Sequence, residues 1–246
     1  MKMIKKFWRS LDFVNVFFPR ACFRCEDLLM DSESGVCLKC WDKLPISQDG
    51  IHKENAVMRV FGGRAILKWG YYHFEYQKLS VIAKILQSIK YDGNQNLAFE
   101  MGLAIGNRVK KLLNVGGVVG GEFEKKFILV PIPLHVSKLR KRGYNQSFLI
   151  AKGIAEVTGW EINENVLIQH VRSKTQTKKN RIGRWLGSKE KFKVIANTRF
   201  IEENHIILVD DVITTGATIE AAFDVLINTM EGNNFHCSVI SLALVL

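Results

Sequence analysis

The 246-residue sequence has no apolar run long enough to span a bilayer, no internal repeat and no low-complexity tract. These absences speak against a helical membrane protein, a solenoid and a disordered polar chain. With 47% hydrophobic and 24% charged residues, the composition fits a globular protein with one sizeable core and room for a small satellite domain. Acidic residues are also scarce. Twenty-four Asp and Glu face 35 Lys and Arg, a net charge of +11, so the expected partners are anions: phosphates, nucleotides or nucleic acid. A secretory leader is not expected either. Lys2, Lys5 and Lys6 precede an apolar stretch, but Arg9, Asp12 and Asn15 interrupt it and no small-residue cleavage site follows, so the expected location is cytoplasmic. Phe7, Leu11, Val14 and Phe18 recur instead at helical spacing, as in a short amphipathic helix that packs on the protein or, as a weaker option, rests on a membrane surface.

The positive charge is concentrated. From Arg172 to Lys193 there are nine basic residues and one acid, Glu190, and Lys138, Arg140, Lys141 and Arg142 add four more charges. Those two segments account for the whole excess, which points to local anion sites, with a solvated charge run as the plainer reading. Along the chain, Ser47 to Asn55 reads as a polar linker and Ala65 to Phe74 as a strand. Helical periodicity runs from Leu79 to Ile89 and from Leu97 to Leu112, and a glycine cluster, Gly116 to Gly121, follows. Phe127 to Ile132 is expected to be a buried strand, Gln146 to Val157 a helix and Val166 to His170 a weaker strand. Ile206 to Val209 is a strong strand, Thr218 to Thr229 a helix and Cys237 to Val245 a closing strand. Alternation of this kind predicts an α/β domain with a mainly parallel sheet.

The segment Ile206 to Ile219, IILVDDVITTGATI, carries the clearest chemistry. Four consecutive apolar residues suit a central strand buried on both faces. The small residues beyond it, Thr214, Thr215, Gly216, Ala217 and Thr218, let the backbone wrap a phosphate at the start of the next helix. Asp210 and Asp211 cannot serve that phosphate, because anions repel. They need cations or hydroxyls, and the 2′- and 3′-hydroxyls of a ribose supply the latter. Position by position, the stretch resembles the phosphoribosyl pyrophosphate signature of type I phosphoribosyltransferases. A second segment, VPIPLHVSKLRKRGYNQS from Val130 to Ser147, is a strand end, a prolyl turn, and then basic residues and Gly143 before a helix. Backbone donors beside Lys138, Arg140 and Arg142 would make a pyrophosphate cradle; an exposed basic loop is the alternative.

Together with SIKYDGNQNLAFEMG at Ser88 to Gly102 and TQTKKNRIGRW at Thr175 to Trp185, these segments make the chain similar to the ComF competence family over nearly its whole length. The resemblance implies an α/β type I phosphoribosyltransferase fold over 60–246, preceded over 1–50 by a helix and a small zinc ribbon. It implies that Asp210 and Asp211 meet the ribose, Thr214 to Thr218 the 5′-phosphate and Pro131 to Gly143 the pyrophosphate. The basic segment 172–193 becomes the loop that closes over substrate, and Mg²⁺ accompanies phosphoribosyl pyrophosphate. Family members are associated with DNA taken up in natural transformation, so single-stranded DNA and competence-machinery proteins join the candidate partners. A fused glutaminase, as in one class of these transferases, is not expected, since no cysteine lies at the extreme N-terminus.

Cys22-x2-Cys25 and Cys37-x2-Cys40 are separated by eleven residues. Each pair can set two thiolates on a tight turn, and together they complete a tetrahedral Cys₄ zinc site. Two disulfides are the alternative, although nothing marks the chain as secreted. Filling all four positions leaves none for a catalytic water, so the zinc is expected to be structural; Cys237 reads as a buried apolar residue. The competing functional reading is a non-catalytic module for single-stranded nucleic acid, in which the zinc ribbon and basic segments track phosphates and Tyr144, Trp185 and Phe192 stack on bases. None of the six histidines is a clear general base; His135 is the best placed, and a structural role is equally open to it.

Overall fold

The computed structural model describes residues 20–51, 54–115, 125–169, 191–230 and 235–246. The amphipathic stretch Phe7 to Phe18, the glycine cluster 116–121 and the basic segment before Lys191 lie outside the described residues. Among the described residues no helix is long and apolar enough to cross a membrane. The chain divides into two compact units, Met1–Pro45 and Ile46–Leu246.

The smaller unit has little regular structure among its described residues. An antiparallel bridge joins Ala21 to Leu28, the chain between them turns through Glu26 at φ 66°, and one helical turn, α1 (Leu38–Trp41), begins after Cys37. Among its described residues the buried apolar side chains are Cys22, Val36, Cys37, Cys40 and Leu44. Three thiols and two aliphatic residues are a small apolar contribution from this part of the chain.

In the larger unit, β1 (Gly70–Tyr76), β2 (Lys126–Pro131), β3 (Glu161–Ile162), β6 (Asn204–Ile213) and β7 (His236–Val245) form an all-parallel sheet in the order β1-β7-β6-β2-β3. A separate antiparallel pair joins β4 (Leu167–Gln169) to β5 (Phe192–Val194). The helices are α2 (Ala56–Phe61), α3 (Val81–Tyr91), α4 (Gln95–Val115), α5 (Val136–Arg142), α6 (Gln146–Thr158), α7 (Thr198–Glu203) and α8 (Ala217–Ile227).

The run Ile206, Ile207, Leu208 and Val209 is fully buried, as a central strand covered on both faces requires. Ile206 and Leu208 join Ile128, Val130 and Val239 in one cluster with Phe61 of α2 and Phe223 and Leu226 of α8. Their alternates Leu129, Ile207 and Val209 are equally buried, and α6 packs on β2 and β6. Each such side chain contributes roughly 1.5 to 3 kcal/mol by leaving water. On α6 sits α4, at a very close approach: a Cβ on Gly102 would lie 2.2 Å from the Ile150 carbonyl oxygen, and one on Gly153 2.2 Å from that of Phe99.

The polar stretch from Ser47 to Asn55, expected to be a linker, is tied into the larger unit. The Ser47 N–H donates to the His73 carbonyl at 2.8 Å. Asp49 Oδ2 accepts from the Ala56 N–H at 2.9 Å and from the Tyr72 hydroxyl at 3.2 Å. Asn55, itself buried, caps α2 by accepting from the Met58 N–H and donates to the Gly70 carbonyl at 2.7 Å. Polar side chains that look solvated in sequence here satisfy backbone groups at a helix start.

Candidate functional site

Parallel strands open at their carboxyl ends onto a common crevice, and β6 carries its two acids there. Asp210 and Asp211 are 8% and 4% exposed. Oδ2 of Asp211 faces the ammonium of Lys90, in the last turn of α3, at 3.1 Å. Oδ1 of Asp210 accepts from the Ser147 hydroxyl at the start of α6 at 3.2 Å and from the Asp211 N–H at 2.9 Å. Burial, reinforced by the charge of Asp211, raises the pKa of Asp210 above its ordinary value; the Asp211 N–H, Lys90 and Ser147 only partly oppose this.

Beyond β6 the chain turns through exposed Thr214 and Thr215 into Gly216, the residue before α8. Gly216 has φ 78°, a conformation that side chains disfavour, and a Cβ there would lie 2.7 Å from the Phe61 ring. No side chain caps α8 at this position. The Ala217 N–H makes a long contact of 3.5 Å to Thr215 Oγ1, and the positive end of the helix dipole faces the turn, where an anion is favoured. Residues 212–219 line a concavity of about 250 Å³ together with Asp210.

Part of the neighbouring cleft is lined by α5, and here the structure differs from the loop expected between Pro131 and Gly143. The basic residues are helical from Val136 onward, and Gly143, at φ 82°, ends the helix. Lys138 and Arg142, four residues apart, share the face that lines a cleft of about 820 Å³ with Lys90, Asp210, Asp211, Thr214 and Thr218. Arg140 and Gly143 are not among its lining residues. Arg142 is held by Gln146 and lies 5.8 Å from the centroid of Tyr91. His135 lines the cleft and caps α5, its Nδ1 accepting from the Ser137 N–H at 3.2 Å, so it has the structural role left open for it.

Two of the aromatic residues considered for base stacking are buried. Tyr144 is 9% exposed and donates to the Ile89 carbonyl, and Phe192 is 4% exposed within the core. Trp185 lies outside the described residues. Conversely, the sequence reading assigned no role to Lys90 or Ser147, nor an individual one to Lys191, which donates to Thr218 Oγ1 at 2.9 Å. These contacts join segments far apart in the chain, and no local spacing announces them.

In the smaller unit the four sulfurs of Cys22, Cys25, Cys37 and Cys40 all lie within 4.8 Å of one another, with 3.7 Å between those of Cys25 and Cys37. Zn–S bonds of about 2.3 Å in a tetrahedron place sulfurs about 3.8 Å apart, so the donor set fits zinc. None of the four is in a disulfide. The Cys37 N–H donates to the Cys22 sulfur at 3.3 Å. Burial opposes ionisation of Cys22, but the N–H groups of Cys25, Cys37 and Arg24 outweigh it and bring the thiol down to about 6. Four thiolates this close require a cation among them. Cys237 stands apart, buried in β7, where burial pushes its thiol pKa up.

No family model matches the chain. The Competence protein ComFC of Bacillus subtilis (strain 168) is 36% identical to it over 101 residues, which make up 40% of this chain and 38% of that protein. The match thus spans well under half of either sequence. On this similarity, with an N-terminal four-cysteine cluster of zinc-ribbon type and a parallel α/β sheet consistent with a phosphoribosyltransferase fold, the chain is a distant homologue of ComFC.

Proposed function

We propose that the cleft binds phosphoribosyl pyrophosphate and that the chain, as a ComF-type protein, transfers the phosphoribosyl group to an acceptor with release of pyrophosphate. One observation carries this reading. The buried Asp210–Asp211 pair runs on into the Thr214–Thr218 turn at the start of α8 and shares a single cleft with Lys138 and Arg142.

In this reading the amides and hydroxyls of the turn hold the 5′-phosphate. The two acids accept from the ribose hydroxyls, with Lys90 and Ser147 fixing their orientation. Lys138 and Arg142 meet the pyrophosphate as its charge grows in the transition state. The oxygen donors of Asp210 and Asp211 suit Mg²⁺, which binds through one or two carboxylates plus substrate phosphates; when bound it would supply charge neutralisation for the departing pyrophosphate. Zinc held by the four cysteines would organise the smaller unit. From the printed name of its relative, the proposal extends to a role in competence, with single-stranded DNA and other competence proteins as partners.

The test is calorimetric titration of phosphoribosyl pyrophosphate with Mg²⁺ into the wild type and an Asp210→Asn, Asp211→Asn double variant. Saturable binding that is lost in the variant is expected. Folded, zinc-loaded wild type that binds nothing would overturn the proposal. If the chain is instead a nucleic-acid module contacting about six phosphates, its affinity for single strands falls with salt at a log–log slope of about −4.

A further inference from the structure

Strand β5 begins at Phe192, whose partner in β4 is Gln169. Phe192 is buried in the same cluster as Phe223 and Leu226 of α8, and β5 packs on that helix. This packing anchors β5 against α8. Lys191 immediately precedes β5. Its ammonium lies 5.1 Å from the centroid of the Phe192 ring and donates to Oγ1 of Thr218 at 2.9 Å, and it lines the same cleft as Asp210.

Three features separate Lys191 from a solvated surface lysine. It is half-buried, and burial lowers its pKa; the charge of Asp210 opposes this, and the smaller influence of Lys138 adds to it. Among the described residues it forms no ion pair, and the group it bonds is a neutral hydroxyl. It also stands at a helix N-terminus, where the backbone dipole already places partial positive charge and where acids, not lysines, are favoured. A partly desolvated cation in that field is unfavourable without an anion beside it. Thr218, the residue it bonds, lines the concavity of the Thr214–Thr218 turn, and Lys191 itself lines the adjoining cleft. Because Thr218 Oγ1 accepts from Lys191, the hydroxyl proton of Thr218 is free to turn toward an oxygen held there.

We propose that Lys191 is the side-chain cation that neutralises a sugar 5′-phosphate seated in the Thr214–Thr218 turn, a role separate from that of Lys138 and Arg142, which line the same cleft from α5. The inference rests on the phosphate-binding reading above and adds a division of labour to it: one cation for the phosphomonoester, a separate pair for the pyrophosphate. Lys191 would then tie β5 to ligand occupancy, since its ammonium exchanges a hydroxyl partner for a dianion.

The test uses the full zinc-loaded chain and two probes, ribose 5-phosphate and inorganic pyrophosphate with Mg²⁺, titrated calorimetrically into wild type, Lys191→Met and Lys191→Arg. The methionine variant is expected to bind ribose 5-phosphate about 10- to 100-fold more weakly, the range of a lost charge-assisted hydrogen bond. Its pyrophosphate affinity should stay within about twofold, and arginine should restore most of the loss. Without ligand, Lys191→Met should melt no lower than wild type, because the cation it removes is unfavourably placed. Undiminished ribose 5-phosphate binding in Lys191→Met would overturn the inference, as would an equal loss for both probes, which would mark a general field effect. Wild type that binds neither probe would remove the phosphate reading itself and this inference with it.

Discussion

The ammonium of Lys90 lies 3.1 Å from Oδ2 of Asp211, joining the last turn of α3 to the carboxyl end of the central strand. The two side chains are 20% and 6% exposed, so both have given up much of their hydration and neither is free to leave the pair. Removing one partner of such a pair costs more than the pair itself contributes, because the other charge stays buried and uncompensated. Lys90→Met is therefore expected to destabilise the fold by about 3 kcal/mol, and Lys90→Met with Asp211→Asn to recover much of that. Urea denaturation of the double-mutant cycle gives the coupling energy directly. A coupling near zero would show that Lys90 is a spectator.

Asp210 makes a prediction of definite sign. Its pKa in the folded chain is raised above the ordinary 3.8, chiefly by burial, so between those two values the native state binds more protons than the unfolded one. Stability from this group is fully present below its unfolded pKa and is lost as pH rises through the folded value. Ligand-free wild type should thus lose stability as pH rises from 4 toward neutrality and beyond. Asp210→Asn should flatten that dependence and, at pH 8, be more stable than wild type by roughly 1 to 3 kcal/mol. Chemical denaturation at a series of pH values decides it; parallel curves for the two proteins would show that burial of Asp210 is not the source.

What the sequence made legible is what is local. The IILV run, the two acids after it and the small-residue turn belong to one strand–turn–helix unit, and the cysteine pairs carry their geometry in their spacing. What it hid is what depends on distant segments. Lys90 sits at the end of an ordinary amphipathic helix, and only the packing of α3 beside β1 and α4 gives it Asp211 as a partner. Tyr144 and Phe192, aromatic residues among cations, looked like platforms for bases until the core claimed them. The helix α5 was masked by prolines before it and Gly143 after it, although a glycine in the left-handed conformation is also how helices end. Likewise Asp49 and Asn55 read as solvated polar residues because capping and buried hydrogen bonding use the same side chains that loops do.

The contact between α4 and α6 is set by glycines, and it supports the site because α6 carries Ser147. Alanine at Gly153 would gain about 1 kcal/mol of helix propensity. It would also press a Cβ to 2.2 Å from the Phe99 carbonyl oxygen and 2.7 Å from the Leu103 amide nitrogen. Backbone cannot yield as a flexible side chain does, so the helices must separate and leave gaps along the seam. Gly153→Ala is expected to be destabilising by at least about 2 kcal/mol net, in the opposite direction to the propensity scale. Equilibrium unfolding in urea measures it, and a stabilised variant would refute the close crossing.

The four clustered thiols carry a prediction about zinc. Among the described residues of the smaller unit only three buried thiols, Val36 and Leu44 are apolar and buried, whereas a tetrathiolate site supplies roughly 10 to 16 kcal/mol of apparent binding energy. The purified chain should therefore contain one zinc, released when the four thiols are titrated with a mercurial. Cobalt put in its place should show the thiolate charge-transfer and visible bands of tetrahedral coordination. Cys25→Ser removes the most exposed of the four ligands and should lose the metal under dialysis that leaves wild type loaded. The binding should also weaken steeply as pH falls, because protons compete with the metal for every sulfur. A folded protein that holds no zinc and joins these cysteines in two disulfides would replace the metal centre with a covalent one.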